Sequence, residues 1–213
     1  MTSKLKILFE GKKLNICLLN SFELYFRYGP RSSKKVDYFH NFIKTELESF
    51  LNKDIYNVKL EQNINSINSN KKKKCDIIIY KNNNPYIILA VKLIMTSYLK
   101  NKNNYWENLT GELSHLKWAN PNLQLIPINI IMNKVPHINN NIIKYFEYPT
   151  YNDLVIYKFL EEKEITYDTI NYIIDVLHQN IINEPFNKCP IIIGFNKKTP
   201  FRSLKNILNP LIN

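Results

Sequence analysis

Two side chains in this chain are placed to do chemistry together, Asp76 and Lys92. Residues 75–80 and 86–94 are rich in Ile and Val. Lys81, three asparagines and Pro85 separate them, which predicts two strands joined as a hairpin over a five-residue loop. If Tyr80 faces Tyr86, then Ile78 faces Ile88 and Asp76 faces Ala90. Side chains alternate between the faces of a strand. Asp76, Ala90 and Lys92 therefore project from one side, with Lys92 one pleat further on. Ile77, Ile79, Ile87, Leu89 and Val91 project from the other side as a clean core set. A register slip of two residues keeps the shared face, and a slip of one destroys it. A lysine straight after Ile-Ile-Leu-Ala-Val sits beside core, where an ammonium is rarely found without a partner. A carboxylate such as Asp76 can bind a cation or accept a proton. Ala90 can do neither.

The elements around this hairpin follow from periodicity. Residues 1–29 predict a short strand, a turn at 10–13 and a helix ended by Gly29-Pro30. Residues 36–51 carry Phe39, Phe42, Ile43, Leu47, Phe50 and Leu51 at helical spacing. Residues 56–62 alternate like a strand, and 63–74 form a polar loop. After the hairpin, 100–104 reads as a basic, Asn-rich loop and 105–119 as a helix stopped by Asn120-Pro121. Residues 123–132 predict a buried strand. Helices at 151–162 and 168–182, a strand at 191–194 and a basic tail complete the chain. Helix, three strands, helix, strand and more helices make an α/β domain with a mixed central sheet.

This arrangement resembles the PD-(D/E)xK nuclease superfamily, and within it the type II restriction endonucleases. In that pattern an Asp opens one strand and an acid-x-Lys triplet lies on the next. The strings here are Lys74-Cys75-Asp76-Ile77-Ile78-Ile79 and Ile88-Leu89-Ala90-Val91-Lys92. The resemblance covers residues 34–132 of a single domain spanning 1–213. Tyr28-Gly29-Pro30-Arg31-Ser32 with Lys34-Lys35, and Asn103-Asn104-Tyr105-Trp106-Glu107 leading to Gly111-Glu112, also look restriction-enzyme-like.

The resemblance implies a restriction-endonuclease-like core, a mixed sheet flanked by helices. It further implies Mg²⁺-dependent hydrolysis of phosphodiester bonds in specific palindromic duplex DNA by a homodimer. Asp76 is then the central metal ligand. The acid missing at position 90 is the second, and the Val91 carbonyl completes the set. Lys92 orients the attacking water and stabilises developing charge. Some members of the superfamily draw a further acid from the preceding helix. Glu46 is the choice here over Glu48, because it shares a face with Phe42, Ile43 and Phe50. Ala90 departs from the pattern and reads as a native acid replaced on purpose so that a DNA complex survives. The alternatives are a naturally inactive, sequence-specific DNA-binding protein on a nuclease fold, or a nuclease for repair or branched DNA.

Charge agrees with a polyanionic partner. Lys and Arg total 29 against 18 Asp and Glu, a formal net charge of +11. Nucleic acid is the first candidate and an anionic membrane surface the second; the resemblance narrows the first to duplex DNA. Asn, Lys, Ile, Tyr and Phe make up more than half of the chain, and all have A/T-rich codons, so charge alone does not separate these partners from a skewed genome. Expected DNA contacts are Arg31, Ser32, Lys34 and Lys35 at the start of one helix, and Lys100, Asn101, Lys102, Asn103, Asn104 and Tyr105 beside the cut. Lys188, Lys197, Lys198 and Arg202 read as ordinary basic surface.

Other classes are disfavoured. Cys17, Cys75 and Cys189 lie far apart, which argues against a disulfide scaffold or zinc ribbon. His40, His115, His137 and His178 are scattered and read as ordinary histidines, without zinc-ligand spacing. No run approaches the roughly 18 apolar residues of a membrane helix, and the first residues lack a signal-peptide core. The expectation is a soluble, cytoplasmic protein.

Overall fold

The hairpin turn is tighter than the composition suggests. In the computed structural model, which describes residues 11–67, 72–196 and 202–212, Asn82 and Asn83 alone turn the chain. Their φ values of 49° and 66° are both left-handed. Two such residues match the twist of the flanking strands, and Asn tolerates that region better than most residues. The strands are therefore longer than expected: β1 is Tyr56–Asn65, β2 is Lys72–Lys81 and β3 is Asn84–Ile94. The short turn pairs Tyr80 with Pro85, not with Tyr86. An irregularity between Ile79 and Tyr80 then restores the expected register, and Ile78 faces Ile88.

Helices α1 (Gly11–Tyr28) and α2 (Lys34–Glu48) precede the sheet. After β3 come α3 (Tyr98–Ala119), β4 (Gln124–Met132), and a separate hairpin of β5 (Val135–Asn139) and β6 (Ile142–Glu147). A short helical segment follows: α4 (Tyr151–Val155), a 3-10 turn and α5 (Phe159–Glu162). Then come β7 (Ile170–Leu177), β8 (Ile191–Phe195) and α6 (Leu204–Ile212). The protein is mixed α/β. Its central sheet has six strands in the order β1-β2-β3-β4-β7-β8. β1, β2 and β3 are antiparallel, β3, β4 and β7 are parallel, and β8 returns antiparallel.

Three expectations are corrected. Residues 168–182 contain a strand, β7, and no helix. Its Ile-Asn-Tyr-Ile-Ile run is too short for periodicity to decide, and parallel pairing with β4 selects the extended form. Residues 100–104 are the first turns of α3, not a loop. The α1 helix already begins at Gly11, where a turn was expected. The strand expected before it, and Lys197 and Lys198, lie outside the described residues.

The core lies on both sides of β2 and β3. Ile77, Ile78, Ile79, Ile87, Ile88 and Leu89 are all buried. α2 covers the Asp76 side through Phe39, His40, Ile43 and Leu47. α3 covers the other side, where Lys73 pairs with Glu112 at 2.7 Å. α6 closes one end as Tyr56 and Tyr86 donate to its last carbonyls. Ile88 sits at the centre of this packing. Ile88→Ala should cost about 2–5 kcal/mol, read as a lower denaturation midpoint with an unchanged slope in urea.

Candidate functional site

β3 belongs to two ladders, and the site forms where one ends. Pairing with β2 stops at Ile77↔Leu89. Pairing with β4 continues through Ala90↔Pro127, Val91↔Ile128 and Lys92↔Asn129. Past Leu89, no strand among the described residues pairs with that edge of β3. There the Asp76 carboxylate accepts the Val91 N–H at 2.8 Å. In an extended residue the N–H and C=O point to the same edge. The Val91 carbonyl therefore opens to the same edge as Asp76.

Asp76, Ala90 and Lys92 are half-buried on one face. Lys92 forms no hydrogen bond or ion pair with any of the described residues. Its register partner Asn129 is buried and donates to Asn171 of β7 at 2.9 Å. A polar row thus crosses the sheet from Asp76 to Asn171, past the buried Ile and Leu residues of β2, β3 and β4.

Glu61, which carries no signal in the sequence, and His40, which reads there as an ordinary histidine, join this face. Glu61 on β1 lies opposite Asp76, between the pairs Leu60↔Ile77 and Gln62↔Cys75. Its φ of 55° is left-handed, a conformation a non-Gly residue adopts at a cost. His40 reaches in from α2, and its Nδ1 lies 3.1 Å from Glu61 Oε1. One ring nitrogen of His40 and one oxygen each of Glu61 and Asp76 lie within 4.8 Å of one another. The exposed Lys74 contacts the other Glu61 oxygen at 2.6 Å. Partial burial raises the Glu61 carboxyl, but the bonds and charges of Lys74 and His40 outweigh it and hold it below the usual range.

Glu46 is not brought to Asp76. It faces α1, 3.5 Å from Lys13. The buried stripe of α2 is Phe39, His40, Ile43 and Leu47, and Glu46 lies six residues, roughly 120° around the helix, from His40. Its shared face with Phe42 and Phe50 is the flank of α2, not the side on the sheet. Thiol chemistry has no place here either, because burial pushes Cys17, Cys75 and Cys189 up to about 12.

The two carboxylates and the Val91 carbonyl suit a hard divalent cation. The imidazole widens the set toward first-row ions such as Mn²⁺. The chemistry of this donor set is compatible with the metal that the resemblance implies.

The expected DNA contacts divide into committed and free groups. Lys35 Nζ donates to the carbonyls of Pro30 (2.7 Å) and Ser32 (2.9 Å) and so closes its own loop. Burial lowers its pKa, with Asp37 opposing. Lys34 lies 3.6 Å from the centre of the Tyr28 ring. Ser32 Oγ accepts from the Lys34 N–H. Arg31 is exposed and makes no ion pair among the described residues. From Lys34 to His40 is about 9 Å along α2, so this loop lies near the acidic cluster. On α3, Lys100, Lys102, Asn103 and Asn104 are exposed. Lys102 lies 3.4 Å from Asp153, Asn101 bonds the Ser97 carbonyl, and Tyr105 stacks on Tyr98. The Leu99 N–H is taken by buried Glu147 at 2.8 Å, so this helix start is already supplied with an anion. Arg202 pairs with Asp168 and is structural. No described helix is long and apolar enough to cross a membrane.

Comparison with protein families, with curated proteins and with solved structures finds no match for this chain.

Asp153 links α4 to Lys102. Burial raises its pKa, but hydrogen bonds from Thr150 and the Lys102 charge prevail and lower it. Its stabilising effect is therefore present above the unfolded aspartate value and lost as pH falls through the lower folded one. Asp153→Asn should melt earlier than the parent at neutral pH. That gap should close in acid, as thermal melts across about pH 2–7 would record.

Proposed function

We propose that the chain is a metal-dependent DNA endonuclease of the restriction-enzyme kind. The observation that carries this reading is the bond from the Val91 N–H to the Asp76 carboxylate, with Lys92, on the same face, unpaired among the described residues. It joins the acid of one strand to the triplet of the next at an open sheet edge. The order α2-β1-β2-β3-α3-β4, with two antiparallel pairs followed by a parallel one, supports it. So does the +11 charge.

In this reading Asp76 and the Val91 carbonyl hold a divalent cation, Mg²⁺ in the first instance. Bound there, such a cation supplies neutralisation of phosphate charge and a more acidic water. Lys92 stands one pleat away, where its ammonium holds the attacking water and the developing oxyanion. Arg31 and Lys34 engage the duplex on the α2 side, and Lys100, Asn103 and Asn104 on the α3 side. Lys35, Asn101, Lys102 and Tyr105 shape those surfaces rather than reach DNA. Palindromic duplex DNA and a homodimer belong to the same reading, because two sites related by a two-fold axis cut two strands. Ala90 stands where the triplet has its acid, and this favours one second reading, a nuclease-fold protein that binds DNA without cutting it.

Ala90→Glu should give Mg²⁺-dependent cleavage of duplex DNA, and Lys92→Ala in that background should abolish it. Folded Ala90→Glu and Ala90→Asp proteins that cut nothing would instead favour the binding protein. The chain with Ala90 should bind DNA with an affinity that falls steeply between about 50 and 200 mM salt. A competition assay on a random duplex library should enrich one motif, and Arg31→Ala should relax it at one base pair.

A further inference from the structure

The two edges of the central sheet are built differently. β1 forms one edge and β8 the other. β1 carries Lys59, Glu61, Gln62 and Asn63, polar and charged residues of the kind that discourage an edge from associating. β8 reads Ile191-Ile192-Ile193-Gly194-Phe195 and has no polar or charged side chain. The irregularity at Asp175/Val176 pairs Asp175 with Gly194 and Val176 with Ile192. Ile193 is left without a β7 partner and stands out as an apolar knob, 67% exposed.

Next to Ile193, a groove of about 540 Å³ runs between Ile16 and Leu19 of α1 and Pro190, Ile191 and Ile192. Ile16 and Leu19 are exposed, on the flank of α1 away from its buried Leu14, Leu18 and Phe22. Leu177 stands beside Ile191 through the Leu177↔Ile191 pair. Ile16, Leu19, Leu177, Ile191 and Ile193 are 36–67% exposed. At roughly 200 Å² for a fully exposed residue of this size, they leave on the order of 500 Å², against the ~800 Å² per partner of a standard stable interface. Monomers rarely leave a contiguous apolar patch of that extent uncovered.

Charge indicates what covers it. Two copies of a chain with net charge +11 repel unless they meet where cations are few. Among the described residues lining the groove there is no lysine or arginine, and the one charged residue is Glu23. Glu23 makes no ion pair among the described residues, and neither does Lys188, which directly precedes Cys189 of the groove wall. An anion in the groove and a free cation on its rim suit a second copy, because a two-fold axis sets each against the other twice. A knob beside a groove is self-complementary in the same way.

We infer that the α1–β8 face joins two copies of this chain across a two-fold axis. Ile193 of each copy enters the groove of the other, and Glu23 of each pairs with Lys188 of the other. The inference deepens the proposed function by naming the surface of its homodimer, and rests on that reading only for the expectation of two copies. Association itself requires neither metal nor DNA.

The test is sedimentation equilibrium of the full chain without DNA, over a range of concentrations. The parent should approach twice the 25.3 kDa of the chain. Ile193→Asp changes an exposed side chain and should weaken association by at least about tenfold. Glu23→Lys and Lys188→Glu should each weaken it by setting like charges opposite one another. Mixing these two variants should restore dimers of near-parent affinity, since every altered charge then meets its opposite. Trp118→Asp, at an exposed position on α3, should dimerise like the parent. A parent that keeps the mass of one chain overturns the inference. So does a dimer indifferent to Ile193→Asp, or a mixture no tighter than either variant alone. None of these results touches cleavage. The nuclease reading falls separately, when folded Ala90→Glu neither cuts nor binds DNA.

Discussion

The bond between the Asp76 carboxylate and the Val91 N–H decides how the middle of the sheet is built. β3 must satisfy β2 on one edge and β4 on the other. The antiparallel ladder ends at Leu89 while the parallel one runs on to Ile94. A backbone N–H left at that point would be an orphan in a partly buried place, and such groups are expensive. Asp76 fills the role of the missing strand with a side chain. The consequence is an extended segment from Ala90 to Lys92 that is rigid on its β4 edge and open on the other. A carboxylate, a carbonyl and an ammonium can share one small space only because that edge is open.

The burial pattern enforces the same arrangement. Both faces of β2 and β3 are packed with Ile and Leu, so a polar group survives there only if it is bonded or borders solvent. The row Asp76, Lys92, Asn129 and Asn171 obeys this rule unevenly. Asn129 and Asn171 bond each other, and Asp76 has Val91. Lys92 alone has no partner among the described residues. α2 places His40 over the acidic end of the row, and Glu61 accepts an unfavourable backbone angle to stand beside Asp76. Charge on this face gathers where His40, Glu61 and Asp76 meet, beside the apolar middle of the sheet.

Net charge overstates the surface available to a polyanion. Lys35 closes its own loop, Lys74 is held by Glu61, Lys102 by Asp153 and Arg202 by Asp168. The start of α3 is occupied by Glu147. Arg31, the exposed lysines and the face of the acidic cluster remain to meet a ligand.

The spacing of Asp76 in Asp76-Ile77-Ile78-Ile79 and of position 90 and Lys92 in Ile88-Leu89-Ala90-Val91-Lys92 determined that the three share a face, because side chains alternate between the two sides of a strand. The same alternation and the helical spacing of Phe39, Ile43 and Leu47 determined the order of the first elements. Everything that depended on long-range pairing was decided by tertiary structure. β7 is extended because β4 offers it a parallel partner. The 100–104 segment is helical where Glu147, 48 residues further on, caps its start. Glu46 and His40 lie on one amphipathic helix, and periodicity alone does not say which flank meets the sheet; the packing of α1 on α2 turned Glu46 away and His40 inward. Glu61 left no local signal, since its place comes from a left-handed kink and a partner on another strand. A site assembled across a helix and three strands is a property of how those elements dock, and local sequence records only the part that lies along one hairpin.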